Sequence, residues 1–315
     1  MRRSRRLMVV VFAVVALVAT GCGGSRADPG SAGAGEAGTA ARVVQHAMGS
    51  TEITGKPKRV VVLDTGELDS VLALGITPLG AVRTDATAGL QSYLADRVQE
   101  VTMVGSNNQP NLEAIAALQP DLILSSKLRH EALYDKFSEI APTVFAEQVG
   151  VSWKENFLLA GDALGKREEA QRILADYEQK AQQIGRQFGD PGALAVSMVR
   201  FYPATIRLYG QGSFIGTILR DAGFARPQSQ QVDTTFVEVS AEQIAQADGD
   251  VLFYSAYGST GEDAQDKVTT NPLWQRLGAV SGGRAHEVSD DLWYLGIGPI
   301  AADLVLDDMK RFATA

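Results

Sequence analysis

The chain has 315 residues, 45% of them hydrophobic and 21% charged, with a formal net charge of -8. An acidic protein without a basic stripe is a poor match for nucleic acid, whose recognition rests on phosphate contacts. Its single cysteine, Cys22, leaves no internal disulfide to form.

Residues 1–21 have the layout of an export signal. Arg2, Arg3, Arg5 and Arg6 precede an apolar run over 7–18, and Ala19, Thr20 and Gly21 are small residues ahead of Cys22. The run is shorter than the about 20 residues that a bilayer span needs. Small residues before a lone cysteine resemble a lipobox, which implies cleavage and thioether lipidation at Cys22, although Leu is commoner than Ala19 at its position. The alternative is an ordinary secretory signal with an incidental cysteine. Removing the signal takes four arginines and no acid, so the charge becomes -12. Residues 22–41 are mainly Gly, Ala and Ser and read as a flexible tether. The GxGxxG match from Gly33 to Gly38 lies inside this stretch with no strand before it, so it carries no dinucleotide reading.

From residue 59 the pattern alternates strand and helix. Residues 59–63 are a buried-strand run, 67–74 a helix closed by Gly75, 78–82 a strand and 92–98 a short helix. Asn111 can cap a helix that Pro120 stops, and Leu122, Ile123 and Leu124 continue as a strand. A helix over 131–140 and a strand over 142–145 follow. Over 167–188 apolar residues fall at Ala170, Ile173, Leu174, Tyr177, Ala181, Ile184 and Phe188. That is the spacing of one helix, about 30 Å long at 1.5 Å per residue. The pattern restarts with strands over 193–202 and 205–209 and a helix over 213–222 closed by Gly223. Ser240 then opens a helix-strand unit that copies the one at Asn111 with an offset of 129 residues, so that Glu242 matches Glu113 and Ile244 matches Ile115. A helical turn over 273–277, a strand over 285–288 and an amphipathic helix over 300–312 end the chain.

The duplicated unit predicts an α/β protein of two similar Rossmann-like lobes, 42–165 and 189–315, joined by one long helix at 166–188. A ligand cleft is expected between the lobes. One stiff connector predicts a modest hinge.

This arrangement resembles the solute-binding proteins of ferric-siderophore and cobalamin transporters. The resemblance is carried by the lipobox and tether, by the segment from Val43 to Ile53 leading to Pro57 and the 59–63 strand, and by the Asn-Leu-Glu and Pro-Asp-Leu-Ile pattern at 111–123. The single bridging helix completes it. Val199-Arg200-Phe201, Ser213 to Gly216, and Trp293 to Gly296 resemble the hydroxamate branch. The resemblance implies an extracytoplasmic, lipid-anchored protein that captures a ferric siderophore and delivers it to an ABC permease with its ATPase. Iron is then ligated by the siderophore, with no cofactor and no direct metal ligand from the protein. Haem or cobalamin as ligand, or a cleft recruited to a protein partner, are the alternatives. In that family one Glu per lobe docks onto permease arginines, a role that falls on Glu113 and Glu242. Acids in a first helical turn are also favoured by the helix dipole alone, by about 0.3–1 kcal/mol.

A ferric siderophore asks for guanidinium forks toward its oxygens and flat aromatic walls against its arms. Strand C-termini in α/β lobes face the cleft. This nominates Arg83, Arg129, Arg200 and Tyr202 as ligand-binding residues, with Arg200 also fit to be a structural ion-pair partner. Val196, Met198, Arg200 and Tyr202 share one face of their strand. Trp293, Tyr294, Trp153 and Tyr257 are the aromatic candidates, each of which could instead be core. His46, His130 and His286 lack HxH or HxxxH spacing, which disfavours a bare-metal site. His130 or a tyrosine could still ligate haem iron. There is no GxSxG, GxxxxGK[ST] or HExxH motif. Asp64 could be a catalytic carboxylate or simply a helix start, and the chain reads as a non-enzyme with no catalytic residue.

Overall fold

The computed structural model describes residues 41–313, so the export signal, Cys22 and nearly all of the tether lie outside the described residues. An antiparallel hairpin, β1 (Ala41–His46) and β2 (Gly49–Thr54), leads into the first lobe. That lobe is built from β3 (Val60–Val62), α1 (Thr65–Ala73), β4 (Gly80–Arg83), β5 (Thr102–Ser106), β6 (Gln109–Pro110), α2 (Leu112–Ala117), β7 (Leu122–Ser126), α3 (Lys127–His130), α4 (Tyr134–Ile140) and β8 (Thr143–Ala146). Its sheet runs β6-β5-β4-β3-β7-β8 and is parallel except for the edge strand β6.

α5 (Trp153–Leu164) then packs against α1 of the first lobe, and the long α6 (Arg167–Gln187) carries the chain across. The second lobe contains β9 (Val196–Phe201), β10 (Ile206–Tyr209), α7 (Phe214–Asp221), β11 (Phe236–Val239), β12 (Val251–Ala256), α8 (Gly258–Thr269), α9 (Pro272–Gln275), α10 (Gly278–Ser281), β13 (Ala285–Glu287), α11 (Asp290–Trp293) and α12 (Pro299–Ala313). Its sheet runs β11-β10-β9-β12-β13, with β9, β12 and β13 parallel and β10 antiparallel to both of its neighbours.

Both sheets are buried on two faces, which is why their strands read as near-continuous apolar runs. Val60 and Val62 face a central core shared with α5, α6, α7 and α12, whereas Val61 and Leu63 face an outer core with Phe137 and Phe145. Val196 and Met198 face the same central core, and Val199 and Phe201 an outer one with Trp274. Along α6 the residues Ala170, Leu174, Tyr177, Ala181 and Ile184 are buried, one stripe of the predicted helix. The two lobes are therefore walls of one continuous interior whose middle is helical.

Two differences from the sequence reading have physical causes. The sequence reading assigns no element at 153–164, yet α5 forms there. Gly161 is where α5 presses on α6, since a Cβ at that position would lie 2.9 Å from Ala170. The second copy of the repeated unit, Ala241–Ala247, is a 3-10 helix where its counterpart α2 is α-helical. Segments this short gain little from helical cooperativity and can settle into the tighter winding.

Two acids on α1, Glu67 and Asp69, are buried. Asp69 accepts from the backbone N–H of Ile300 at 2.8 Å and of Ala301 at 3.0 Å, at the start of α12, and from the Tyr93 hydroxyl at 3.0 Å. Gly298, at φ +127, brings the chain so close that a Cβ there would lie 2.6 Å from Asp69. Burial pushes the Asp69 carboxyl up to about 7 against the pull of these three donors. Glu67 is buried, and its Oε2 has no hydrogen-bond partner among the described residues. Burial first, and then the charge of Asp64, push it up to about 8.

An acid whose folded pKa lies above its unfolded value binds its proton more tightly in the native state, so stability falls as pH rises between the two values. Thermal unfolding of the wild type should therefore show a midpoint that declines from about pH 5 to about pH 8. Glu67→Gln, neutral throughout, should flatten this decline; an unchanged slope would assign it elsewhere. Asp69→Ala leaves two helix N–H groups without their acceptor and should cost about 2–4 kcal/mol in denaturant unfolding, whereas a loss below about 0.5 kcal/mol would show that the cap is dispensable.

Candidate functional site

In an open α/β sheet, ligands bind beyond the strand C-termini at the point where strand order reverses. In the first lobe the chain steps from β3 to β4 and β5 on one side, then returns to place β7 and β8 on the other. In the second it steps from β9 to β10 and β11, then returns with β12 and β13. The reversal points are thus β3/β7 and β9/β12, and β7 and β12 are the strands of the duplicated unit.

At the β3/β7 point Asp64 caps α1, accepting from Thr65 N–H at 2.8 Å. Its other oxygen accepts from Arg129 Nε at 2.9 Å. Asp64 is therefore a helix start and an ion-pair partner. The pairing uses only one edge of Arg129, whose side chain is 31% exposed and whose Nη1 and Nη2 meet no acceptor among the described residues. The charge of Asp64 holds this guanidinium above its ordinary pKa against burial. Arg83, ending β4, donates through Nη1 to Thr84 O at 3.0 Å and Thr87 O at 3.1 Å and has no carboxylate partner among the described residues. Leu128, beside Arg129, is 58% exposed and adds an apolar surface that sequence reasoning did not single out. His130 is buried, with Nδ1 in hydrogen-bond contact with Ser125 Oγ at 2.7 Å and Nε2 with Asn107 O at 2.9 Å.

The β9/β12 point is organised around Arg200, which is only 3% exposed. Its Nε and Nη2 donate to the two carboxylate oxygens of Asp290 at 2.6 and 2.5 Å. Nη1 donates to the hydroxyls of Tyr202 and Tyr209, each at 3.1 Å. The ring centroids of Tyr257, Tyr294 and Tyr202 lie 4.7, 5.2 and 5.4 Å from the guanidinium carbon. Burial opposes the charge, but Tyr209 and Asp290 outweigh it and keep Arg200 protonated. Tyr202 and Tyr257 stack at 4.7 Å and 14°. Burial raises the Tyr202 pKa, so its hydroxyl keeps its proton.

The structure brings Arg200, Tyr202, Tyr257 and Tyr294 together at one reversal point and Arg83 and Arg129 at the other. Tyr294 forms an inner layer, donating its hydroxyl to Val199 O at 2.9 Å. Trp153 and Trp293 differ from the expectation of aromatic walls. Trp153 is buried, donating from Nε1 to Thr217 at 2.9 Å and meeting Tyr177 and Phe214 edge-on. Trp293 is also buried, donating to Asp308 at 3.0 Å and packed on Phe253. A large aromatic with its one donor satisfied inside the core has no surface left for a cargo. Asp290, Ser255 and Tyr209 were missed. Only the antiparallel β9/β10 pairing, which sets Arg207 opposite Arg200 and so Tyr209 nearby, could have hinted at one of them.

Glu113 and Glu242 are both exposed in the first turn of their helices. Asn111 caps the first, accepting from Ala114 N–H at 3.0 Å, and Ser240 with Gln243 forms a capping box on the second. Hydrogen bonding from Ser240 and from its own backbone N–H lowers the Glu242 pKa. Each helix runs down from the C-terminal edge of its sheet, so both acids stand at the end of the lobe that carries the reversal point. Among the described residues no group of three His, Cys, Asp or Glu side chains is placed to hold a metal ion.

A family model described as periplasmic binding protein matches residues 60–291. The chain is 38% identical to a probable siderophore-binding lipoprotein of Bacillus subtilis, YfiY, with 97% of each chain covered. It is 32% identical to the Fe(3+)-citrate-binding protein YfmC of the same organism, over 92% of this chain and 91% of that one. The crystal structure of Staphylococcus aureus SirA complexed with staphyloferrin B superposes with a TM-score of 0.79 at 33% identity, over 87% of this chain and 98% of SirA. Two α/β lobes built on one helix-strand unit and crossed by a single long helix, together with these likenesses over nearly the whole length, make the chain a member of the periplasmic binding protein family.

Proposed function

We propose that the protein is a lipid-anchored extracytoplasmic receptor that captures a ferric siderophore between its lobes and hands it to an ABC permease for iron uptake. The siderophore is of hydroxamate or citrate-hydroxamate type, and the lipid sits on Cys22. The observation that carries the reading is the pairing of two unlike reversal points. One offers the unspent N–H groups of Arg83 and Arg129, and the other a tyrosine cluster around an internally neutralised Arg200. Guanidinium groups suit the oxygens of an anionic ferric complex, and tyrosine rings suit its apolar arms while their hydroxyls meet its polar edge. The names of the relatives, which bind siderophores or Fe(3+)-citrate, support the same cargo class. Haem is less well served, because His130 already spends both ring nitrogens.

Titration of intrinsic fluorescence with a ferric hydroxamate, ferric citrate, haem and cobalamin tests this directly. Saturable binding of a ferric siderophore is expected, weakened by about 100-fold or more in the Arg83→Ala, Arg129→Ala double variant, as for two lost hydrogen bonds to charged groups. Tight haem binding with no response to either ferric complex would overturn the reading.

Glu113 and Glu242 are the proposed contacts to the permease, since both are exposed and correspond in the two lobes. Replacing both with Ala should abolish cellular iron uptake from the ferric complex while leaving its affinity in solution unchanged. Uptake at the wild-type rate would return both residues to a helix-dipole role.

A further inference from the structure

We propose that Asp290 is the positioning residue of the cleft: by holding Arg200 permanently, it keeps that guanidinium off the cargo and makes the Tyr202 hydroxyl the donor that the second lobe offers to a ligand oxygen. The proposal rests on the ferric-siderophore reading and names how one half of that site works.

The hydrogen-bond inventory of the cluster leaves little choice. A guanidinium has five N–H groups and no acceptor. In Arg200 one from Nε and one from Nη2 go to Asp290, and both from Nη1 go to Tyr202 and Tyr209. Asp290 is itself fixed by the buried Ser255, whose hydroxyl donates to Oδ1 at 2.8 Å. One Nη2 N–H stays unspent, but a cargo carboxylate could take Arg200 bidentately only by displacing the Asp290 carboxylate from a pair whose guanidinium is buried. Removing one partner of such a pair leaves an uncompensated buried charge and is strongly unfavourable.

The tyrosines then have a fixed sense. Tyr202 and Tyr209 each accept from Arg200 Nη1 at 3.1 Å. Tyr209 is buried and Tyr202 half-buried. The Tyr202 oxygen is thus engaged by Arg200, and among the described residues no hydrogen bond takes up its hydrogen, which is left for a ligand. Bonds in such a chain polarise one another and strengthen the last donor. The ring that carries this hydroxyl is held by the stack on Tyr257 and by Arg207, whose guanidinium carbon lies 4.0 Å from the ring centroid. The second lobe accordingly reads an acceptor oxygen without reading charge. Charge is read by Arg83 and Arg129 across the cleft.

The test compares two probes on the full chain, a neutral ferric trihydroxamate and anionic ferric citrate, by fluorescence titration. Tyr202→Phe should weaken both by about tenfold, the loss of one hydrogen bond, and leave their ratio unchanged. Asp290→Asn releases Arg200 toward the cargo and should raise the ratio of ferric citrate affinity to trihydroxamate affinity by about tenfold or more, the order expected of a freed charge-assisted pair. A Tyr202→Phe protein that binds like wild type, or an Asp290→Asn protein in which both affinities fall with the ratio unchanged, overturns the proposal while the siderophore reading stands. Wild-type protein that binds neither probe removes the siderophore reading, and the proposal with it.

Discussion

The buried carboxylate of Asp69 is the constraint on which the relation of the two lobes depends. It belongs to a helix of the first lobe, yet it supplies the acceptors for the first turn of the C-terminal helix, which packs on the bridging helix and closes the second lobe's core. The N-terminus of a helix carries unpaired N–H groups and a positive dipole end, so a carboxylate placed there satisfies both. The bridging helix is the covalent link between the lobes. The capped C-terminal helix is a second, noncovalent one, and Trp153 on Thr217 adds a third. All three links run through the helical middle layer.

The groups at the two strand-order reversals differ in kind. The first lobe presents arginines with unspent donors. The second presents an arginine whose charge is balanced within the cluster by Asp290 and which donates to two tyrosine hydroxyls. On the proposed function, long-range attraction of an anionic cargo falls to the first wall and short-range recognition of its oxygens and apolar arms to the second.

Much of the fold was legible because its signals are local. Caps at Asn111, Ser213 and Ser240, stops at Gly75 and Gly223, and the 3.6-residue spacing along Arg167–Gln187 each report on a few neighbouring residues. Among the elements that escaped notice, α5 and α8 carry glycines at helical positions, and there Gly161 and Gly261 serve close packing rather than a break. The site was legible only in part. Arg83, Arg129, Arg200 and Tyr202 could be nominated because strand C-termini in α/β lobes share an edge, a rule that needs strand order and nothing finer. Trp153 and Trp293 were misplaced because a loop-flanking aromatic looks the same in sequence whether it faces a pocket or the core.

The sequence by itself determined two copies of one helix-strand unit, a single long helix between them, and arginines and tyrosines at the strand ends. Those are consequences of periodicity and of order along the chain. Tertiary structure alone decided which of these side chains are spent. Arg200 meets Asp290 across 90 residues, Arg129 meets Asp64 across 65, and Asp69 meets Ile300 across 231. Each partner is set by the path of the chain through two sheets, and no local pattern encodes a contact made at that separation.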